Sequence, residues 1–342
     1  MKEHFWLGMA VIAASGAFNG SFAAPMKASR RWKWENTWLV FALVALLILP
    51  GCLAAGWVPH LADVYRGAPG RALFLPAAFG FLWGIAQVTF GLGIEAVGMA
   101  LAFTVVSGLG CLFGSLIPLL VLHPGDLSQP KGIMLLVSMP ILFGGLILYA
   151  KAGRRREREQ ASSDTPKSRL NYSFAAGVGI CIFTGVVGSA WNLGFAFSGS
   201  LLERSREMGA GALASPYAVW VVILGAGLIP NLVYCVWLLS RNGSWAMFTA
   251  AGSLRESLLG GAMGLLWLSG IVGYGIGATL VGSYGTSVGF ALFIAAQIFW
   301  SNALGVLTGE WKATSGRTRQ VLLAAVLVTL ISVVVLNLGG LF

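Results

Sequence analysis

The sequence predicts an all-α fold: a polytopic membrane protein with ten transmembrane helices, built as a 5+5 inverted repeat. Three observations carry that prediction. Hydrophobic residues make up 57% of the 342 and charged residues only 10%, where a soluble domain carries roughly 25% charged residues. Ten apolar segments each approach the ~20 residues that a bilayer crossing needs. A stretch of the first half also matches a stretch of the second without a gap.

With so few charges the chain cannot cover its surface in water, and its mean hydropathy is +0.81. Lipid is therefore its solvent. The 47 glycines are about double the usual ~7% and suit helices whose backbones pack closely. The four cysteines, Cys52, Cys111, Cys181 and Cys235, are far apart in apolar runs without a C-x-x-C pair. That spacing suggests neither a disulfide framework nor a metal site, and small, mostly buried packing residues are expected. No cofactor and no metal is expected.

The formal net charge of +10 raises the question of nucleic acid. In "SFAAPMKASRRWKWENTW", Lys27, Arg30, Arg31 and Lys33 are interleaved with Trp32 and Trp34. In so apolar a chain this reads as the collar of a membrane helix and not as a nucleic-acid patch, with both tryptophans at headgroup level. "SFA" faintly resembles a signal-peptide cleavage site. The basic cluster behind it tends to stay inside the cell, so the first segment is expected as a retained helix.

The ten segments run roughly over 5–24, 37–57, 73–94, 98–121, 131–150, 172–198, 214–239, 255–279, 283–307 and 320–341. Residues 151–171, "KAGRRREREQASSDTPKSRLN", form the one long polar linker. It divides the chain into a first five-helix repeat (1–150) and a second (172–342). Lys and Arg fall unevenly about these segments: 16 lie on the side of the loop after the first helix and 6 on the other. By the positive-inside rule the 16 are cytoplasmic and both termini lie outside.

The internal repeat pairs "GFLWGIAQVTFGLGIEAVGM" (80–99) with "GLLWLSGIVGYGIGATLVGS" (264–283), with eight of 20 positions identical. Trp83 matches Trp267, Gly91 matches Gly275, Gly93 matches Gly277 and Gly98 matches Gly282. The match pairs the third helix with the eighth, as a five-plus-five duplication requires. Because five is odd, the second half inserts upside down, and inverted repeats of this kind build transporters.

Polar residues inside a span are costly unless they face a cavity or one another. Here they gather on matched segments: Ser15, Asn19 and Ser21 on the first, Gln87 and Thr89 on the third, Thr104 and Ser107 on the fourth. In the second half they are Ser189 and Asn192 on the sixth, Ser269 on the eighth, and Gln297, Ser301 and Asn302 on the ninth. Helical spacing puts Trp83 with Gln87, Ser189 with Asn192, Trp267 with Tyr274, and Gln297 with Trp300 on shared faces. Amides and hydroxyls beside aromatic rings suit a neutral, polyhydroxylated ligand. The substrate-contact set is Asn19, Trp83, Gln87, Ser189, Asn192, Trp267, Tyr274, Gln297 and Trp300, in a cavity between the two halves. The competing reading makes the amides interhelical glue and the tryptophans anchors or filler.

No Asp or Glu falls mid-segment, and there is no H-E-x-x-H and no Ser/His arrangement at membrane depth. An enzyme is not expected. No Lys or Arg falls mid-segment either, so the substrate is neutral. Glycine and proline positions (Gly91, Gly93, Gly275, Gly277, Pro118, Pro230) are the expected places where helices bend during alternating access.

The stretches "SFAAPMKASRRWKWENTW", "LILPG", "GFLWGIAQVTFGLGIEAVGMALAF" and "GVLTGEW" resemble the bacterial L-rhamnose–proton symporter family of the drug/metabolite transporter superfamily. The resemblance runs from about residue 5 to the C-terminus and is clearest over 16–110. It implies a ten-helix inverted-repeat carrier in the bacterial inner membrane that takes up L-rhamnose or a close 6-deoxy sugar with protons. Its partners are then a small neutral sugar, protons and the lipid bilayer. Proton symport needs a group that titrates; Glu95, which closes the third segment, is the candidate, with Glu35 beside the basic cluster. A superfamily carrier or facilitator for another small neutral metabolite is the alternative. A non-transporting sensor or scaffold would satisfy its inner polar groups internally and leave no cavity.

Overall fold

The computed structural model describes residues 2–122, 124–161, 173–282 and 288–338, and all regular structure among them is helical. The first segment becomes α1 (Lys2–Ser21) and the short α2 (Ala24–Ala28). The second becomes α3 (Trp34–Leu43), a π-helical turn at Val44–Ile48 and α4 (Leu49–Trp57), followed by the short α5 (Leu61–Arg66). Then come α6 (Gly70–Val97), α7 (Met99–Leu122) and α8 (Pro130–Ala161). The sixth segment breaks into α9 (Phe174–Gly188) and α10 (Ala190–Ala196), with α11 (Gly199–Glu207) behind it. The chain closes with α12 (Ser215–Asn242), α13 (Ser253–Val281), α14 (Val288–Leu307) and α15 (Gly316–Leu338). Among the described residues, eight helices are long and apolar enough to cross a membrane; Met99–Gly114 and Leu292–Leu307 are shorter apolar helices.

Several local expectations change. The first eleven linker residues are helical, because α8 runs on to Ala161; residues 162–171 lie outside the described residues. "RRREREQ" is made of strong helix formers, with Glu159 three and four residues after Arg156 and Arg155, so the helix does not end where the apolar run does. The expected bending points Gly91, Gly93, Gly275, Gly277 and Pro230 lie inside unbroken helices. The helix interruptions in this structure fall at Phe22–Ala23, at Ser189 and at the π turn. Pro50 explains the last: its ring collides with the carbonyl one turn back, and the widened π turn moves that carbonyl away. Cys52 is exposed while the other three cysteines are buried.

Trp32 and Trp34 are not a headgroup belt. They are only 3% and 4% exposed. Trp32 donates from Nε1 to the Met247 carbonyl (2.9 Å), and Trp34 stacks on Trp38 at 5.1 Å. The basic cluster beside them is tied down too. Arg31 donates to the Ala251 carbonyl and Lys33 to the Asn242 carbonyl at the end of α12, where the helix dipole favours a cation. Glu35, 3% exposed, accepts from Asn242 Nδ2 (2.8 Å) and Ser244 Oγ (2.7 Å).

The chain forms two compact units. The first comprises residues 1–21, 89–186 and 270–342, the second residues 22–88 and 187–269. In the first unit α8 packs along α15, and α14 packs on α1 and α7. In the second, α12 packs on α3 and α4.

Small residues set the closest approaches. In the second unit a Cβ on Gly84 would lie 2.2 Å from the Gly227 carbonyl oxygen, and one on Gly80 would lie 2.3 Å from that of Ile223. The backbones of α6 and α12 therefore touch, a small-xxx-small crossing of the kind that holds membrane helices together. Asn231, fully buried, fastens it. Its Nδ2 donates to the carbonyls of Gly84 (3.2 Å) and Gly227 (2.9 Å), and its Oδ1 accepts from Trp38 Nε1 (2.9 Å).

This crossing yields a prediction. Gly84→Ala drives a methyl into the α12 backbone and should destabilise the protein by at least about 2 kcal/mol. A Cβ on Gly51 in α4 would meet no described atom within 4 Å, so Gly51→Ala should be neutral or stabilise by about 0.5–1 kcal/mol through helix propensity. Thermal unfolding in detergent compares the two; equal effects would refute the backbone contact.

Candidate functional site

The second unit gathers aromatic rings along a stripe of α6 that also carries a buried amide. On α6, Phe79, Trp83 and Gln87 recur every four residues and so form one stripe. The α9–α10 break at Ser189 brings α10 beside that stripe. Phe197 stacks on Phe79 at 5.6 Å, and Trp191 meets Trp83 at 5.1 Å. From the other side α13 places Trp267 5.8 Å from Trp83. Trp267 in turn meets Phe41 at 6.5 Å, Phe41 meets Trp38 at 4.8 Å, and Trp38 stacks on Trp34. Trp83 and Trp267 are thus the middle of a ladder of rings from α10 to α3, and both are buried.

Gln87 stands one turn beyond Trp83. It is 5% exposed, yet its Nε2 has no hydrogen-bond partner among the described residues. A buried donor left unpaired costs about 1–3 kcal/mol, so such an amide is a place where a ligand acceptor is rewarded. Ser189, 4% exposed, sits at the break itself, and Asn192 is half-buried on α10, its backbone N–H bonded to the Ser189 carbonyl. Five of the sequence-predicted contacts, Trp83, Gln87, Ser189, Asn192 and Trp267, therefore belong to this unit.

The others belong to the first unit and are placed differently. Gln297 of α14 donates to Ser107 Oγ of α7 (3.1 Å). Further along the same pair of helices, Asn302 donates to Thr104 Oγ1 (2.9 Å), Thr104 to Tyr149 Oη (3.0 Å), and Tyr149 to Asn302 Oδ1 (3.2 Å). This closed ring of bonds joins α7, α8 and α14. Asn19, 6% exposed, lies at the end of α1 against Gly270 of α13. Tyr274 packs its ring on Phe293 at 5.0 Å and Phe290 at 5.7 Å. Trp300 is 42% exposed beside Phe299 at 57%, a position suited to a lipid-facing anchor. Glu95, half-buried near the end of α6, has partners of its own.

The acidic residues at helix ends hold loops. Glu310 accepts from the backbone N–H groups of Met99 (2.7 Å) and Ala100 (3.2 Å), capping α7 from the α14–α15 loop. Gly98 turns the corner into α7 at φ +91°, open chiefly to glycine. Glu256, fully buried, pairs with Arg255 at 2.9 Å.

Sequence reading missed Trp191 and Asn231. Trp191 stands between Ser189 and Asn192 and becomes visible as part of the site once the helix break is known. Phe79 was findable as one more step of the Trp83–Gln87 spacing.

A family model described as L-rhamnose-proton symport protein matches residues 1–341. Similar proteins include the L-rhamnose-proton symporter of Cronobacter sakazakii, 26% identical with 99% of each chain covered. The L-rhamnose-proton symporter of Yersinia pestis is 24% identical, again with 99% of each chain covered. A match of that extent spans every helix described above, and the chain belongs to the L-rhamnose-proton symport family.

Proposed function

We propose that this chain is a secondary transporter of the bacterial cytoplasmic membrane, importing L-rhamnose or a closely similar 6-deoxy sugar together with protons. Beyond family membership, the observation that carries the reading is Gln87: a buried amide donor without a partner among the described residues, one turn from a pair of packed tryptophans. A deoxy sugar has the matching chemistry. Its C–H faces and methyl group pack on indole rings, and its hydroxyls accept from the amide. Trp83, Trp191 and Trp267 supply the apolar walls, and Ser189 and Asn192 further hydrogen-bonding groups. Asn19, Tyr274 and Gln297 stay in the proposal as contacts to be tested one by one, and Glu95 as the proton-coupling residue.

The reading includes ten spans arranged as a 5+5 inverted repeat, with the linker cytoplasmic and both termini outside. Three features support the repeat. The matched residues Trp83 and Trp267 lie in contact. The matched Gly98 and Gly282 both have positive φ, +91° and +77°. The first segment of each half is interrupted near its end, at Phe22–Ala23 and at Ser189.

Proteoliposomes loaded with buffer should accumulate labelled L-rhamnose when the outer medium is more acidic than the lumen. Accumulation should stop when a protonophore collapses the gradient. Absence of uptake of any 6-deoxy sugar refutes the transporter reading. Uptake that ignores the gradient replaces it with a facilitator.

Gln87→Ala should raise the half-saturation concentration for rhamnose about three- to tenfold, the worth of one hydrogen bond, with membrane insertion unchanged. Asn192→Ala should act in the same direction. Normal transport by both variants would remove the contact set. Glu95→Gln should leave sugar binding intact and abolish the response to the pH gradient.

A further inference from the structure

The first unit holds a cavity of about 260 Å³ among α7, α8 and α9. Leu101, Val105, Phe143, Ile147, Val178 and Ile182 form its walls. Tyr149 adds its ring, while its hydroxyl is turned into the bonds with Thr104 and Asn302. No described lining side chain offers a free donor or acceptor, so this is no place for a sugar. It is open on its outer side: Phe143, Ile147 and Ile182 are 44%, 56% and 45% exposed. In a membrane protein that side faces lipid.

The groove has a charged continuation. Phe143, Ile147 and Ala150 lie on one stripe of α8, and the same three- and four-residue steps carry it on to Lys151, Arg154 and Arg158. All three basic residues are exposed. The opposite face of this helix end is fully used. Ala152 and Gly153 are buried. Arg156 donates to the Val97 carbonyl (2.9 Å) and lies over the Trp311 ring at 5.0 Å. Gln160 donates to the carbonyls of Glu310 and Lys312. Glu159 holds Ser315 and Thr318. The extension of α8 is thus fixed by one face and presents a basic ladder on the other. Ile147 and Arg154 are separated by about 10 Å of helix rise, a length that takes a chain from the hydrocarbon to the level of a phosphate.

We propose that this groove and ladder form a binding site for an anionic phospholipid. One acyl chain occupies the cavity among α7, α8 and α9, and the phosphate lies on Lys151, Arg154 and Arg158. The assignment requires only that the chain spans a membrane and is independent of which solute it carries.

The test uses the full chain, exchanged into vesicles of equal phosphatidylglycerol and phosphatidylethanolamine and extracted in mild detergent. Native mass spectrometry then counts the lipid retained. The wild type should keep phosphatidylglycerol over phosphatidylethanolamine by about tenfold or more, since each basic residue near an anionic surface contributes roughly a factor of five. Joint replacement of Lys151, Arg154 and Arg158 by Gln should abolish the preference. Ile147→Trp keeps every charge but fills the groove, and should lose the bound lipid as well. Inorganic phosphate should not displace it. Equal retention of the two lipids by the wild type, unchanged retention in either variant, or displacement by phosphate would each overturn the site. If Ile147→Trp lowers the unfolding temperature, Ile182→Trp takes its place with the same expectation.

Discussion

One amide holds the second unit together. Asn231 is fully buried where no water can reach it, and in lipid every such group has to be satisfied from within the protein. It binds the carbonyls of α6 and α12 at the point where those backbones touch, and it fixes the indole of Trp38. The ring ladder runs on from Trp38 through Phe41 and Trp267 to Trp83. Trp83 immediately precedes Gly84, whose carbonyl Asn231 holds, and Gln87 follows three residues later. The position of the unpaired amide is therefore set by a polar knot one turn away, and indirectly by two glycines that let the helices meet.

The two units differ at one buried amide. In the first, Gln297 and Asn302 are bonded to Ser107 and Thr104, and Tyr149 closes the ring. A satisfied network of that kind rigidifies the helices it joins. In the second, Asn231 is bonded likewise, whereas the Nε2 of Gln87, one turn from Trp83, has no partner among the described residues. The same residue type thus bonds across to α7 from α14 and leaves its donor open on α6. Composition does not separate these roles; the neighbours across the helix contact do.

That difference also marks how far the sequence could be read. Apolar runs located the helices, because membrane helices need length and little else; the alignment matched Trp83 with Trp267, but their contact appears only in the structure. The polar residues were assigned to helices correctly, but not to partners. These helices are apolar nearly all round, so no stripe marks the face turned inward. Asn231 was overlooked as a lone polar residue in the seventh segment, although it organises its unit. Trp32 looked like an anchor because its partners Met247 and Phe248 lie more than 200 residues away, and Trp34 because the Trp38 and Tyr234 rings that cover it come from separate segments. The helical run of α8 beyond residue 150 was hidden by its charge, which reads as linker when only hydropathy is followed.

The Glu310 cap on α7 has a further consequence for how the chain is made. The N-terminal amides of α7 are held by a residue synthesised 210 positions later, and Trp38 waits for Asn231 across 193. Helices are inserted in order during synthesis, so the first half enters the membrane with these groups still open. Neither half of the chain can complete its own polar bonding. These bonds are completed only once Asn231 and Glu310 have been made, and a chain that ends before them lacks its closing contacts.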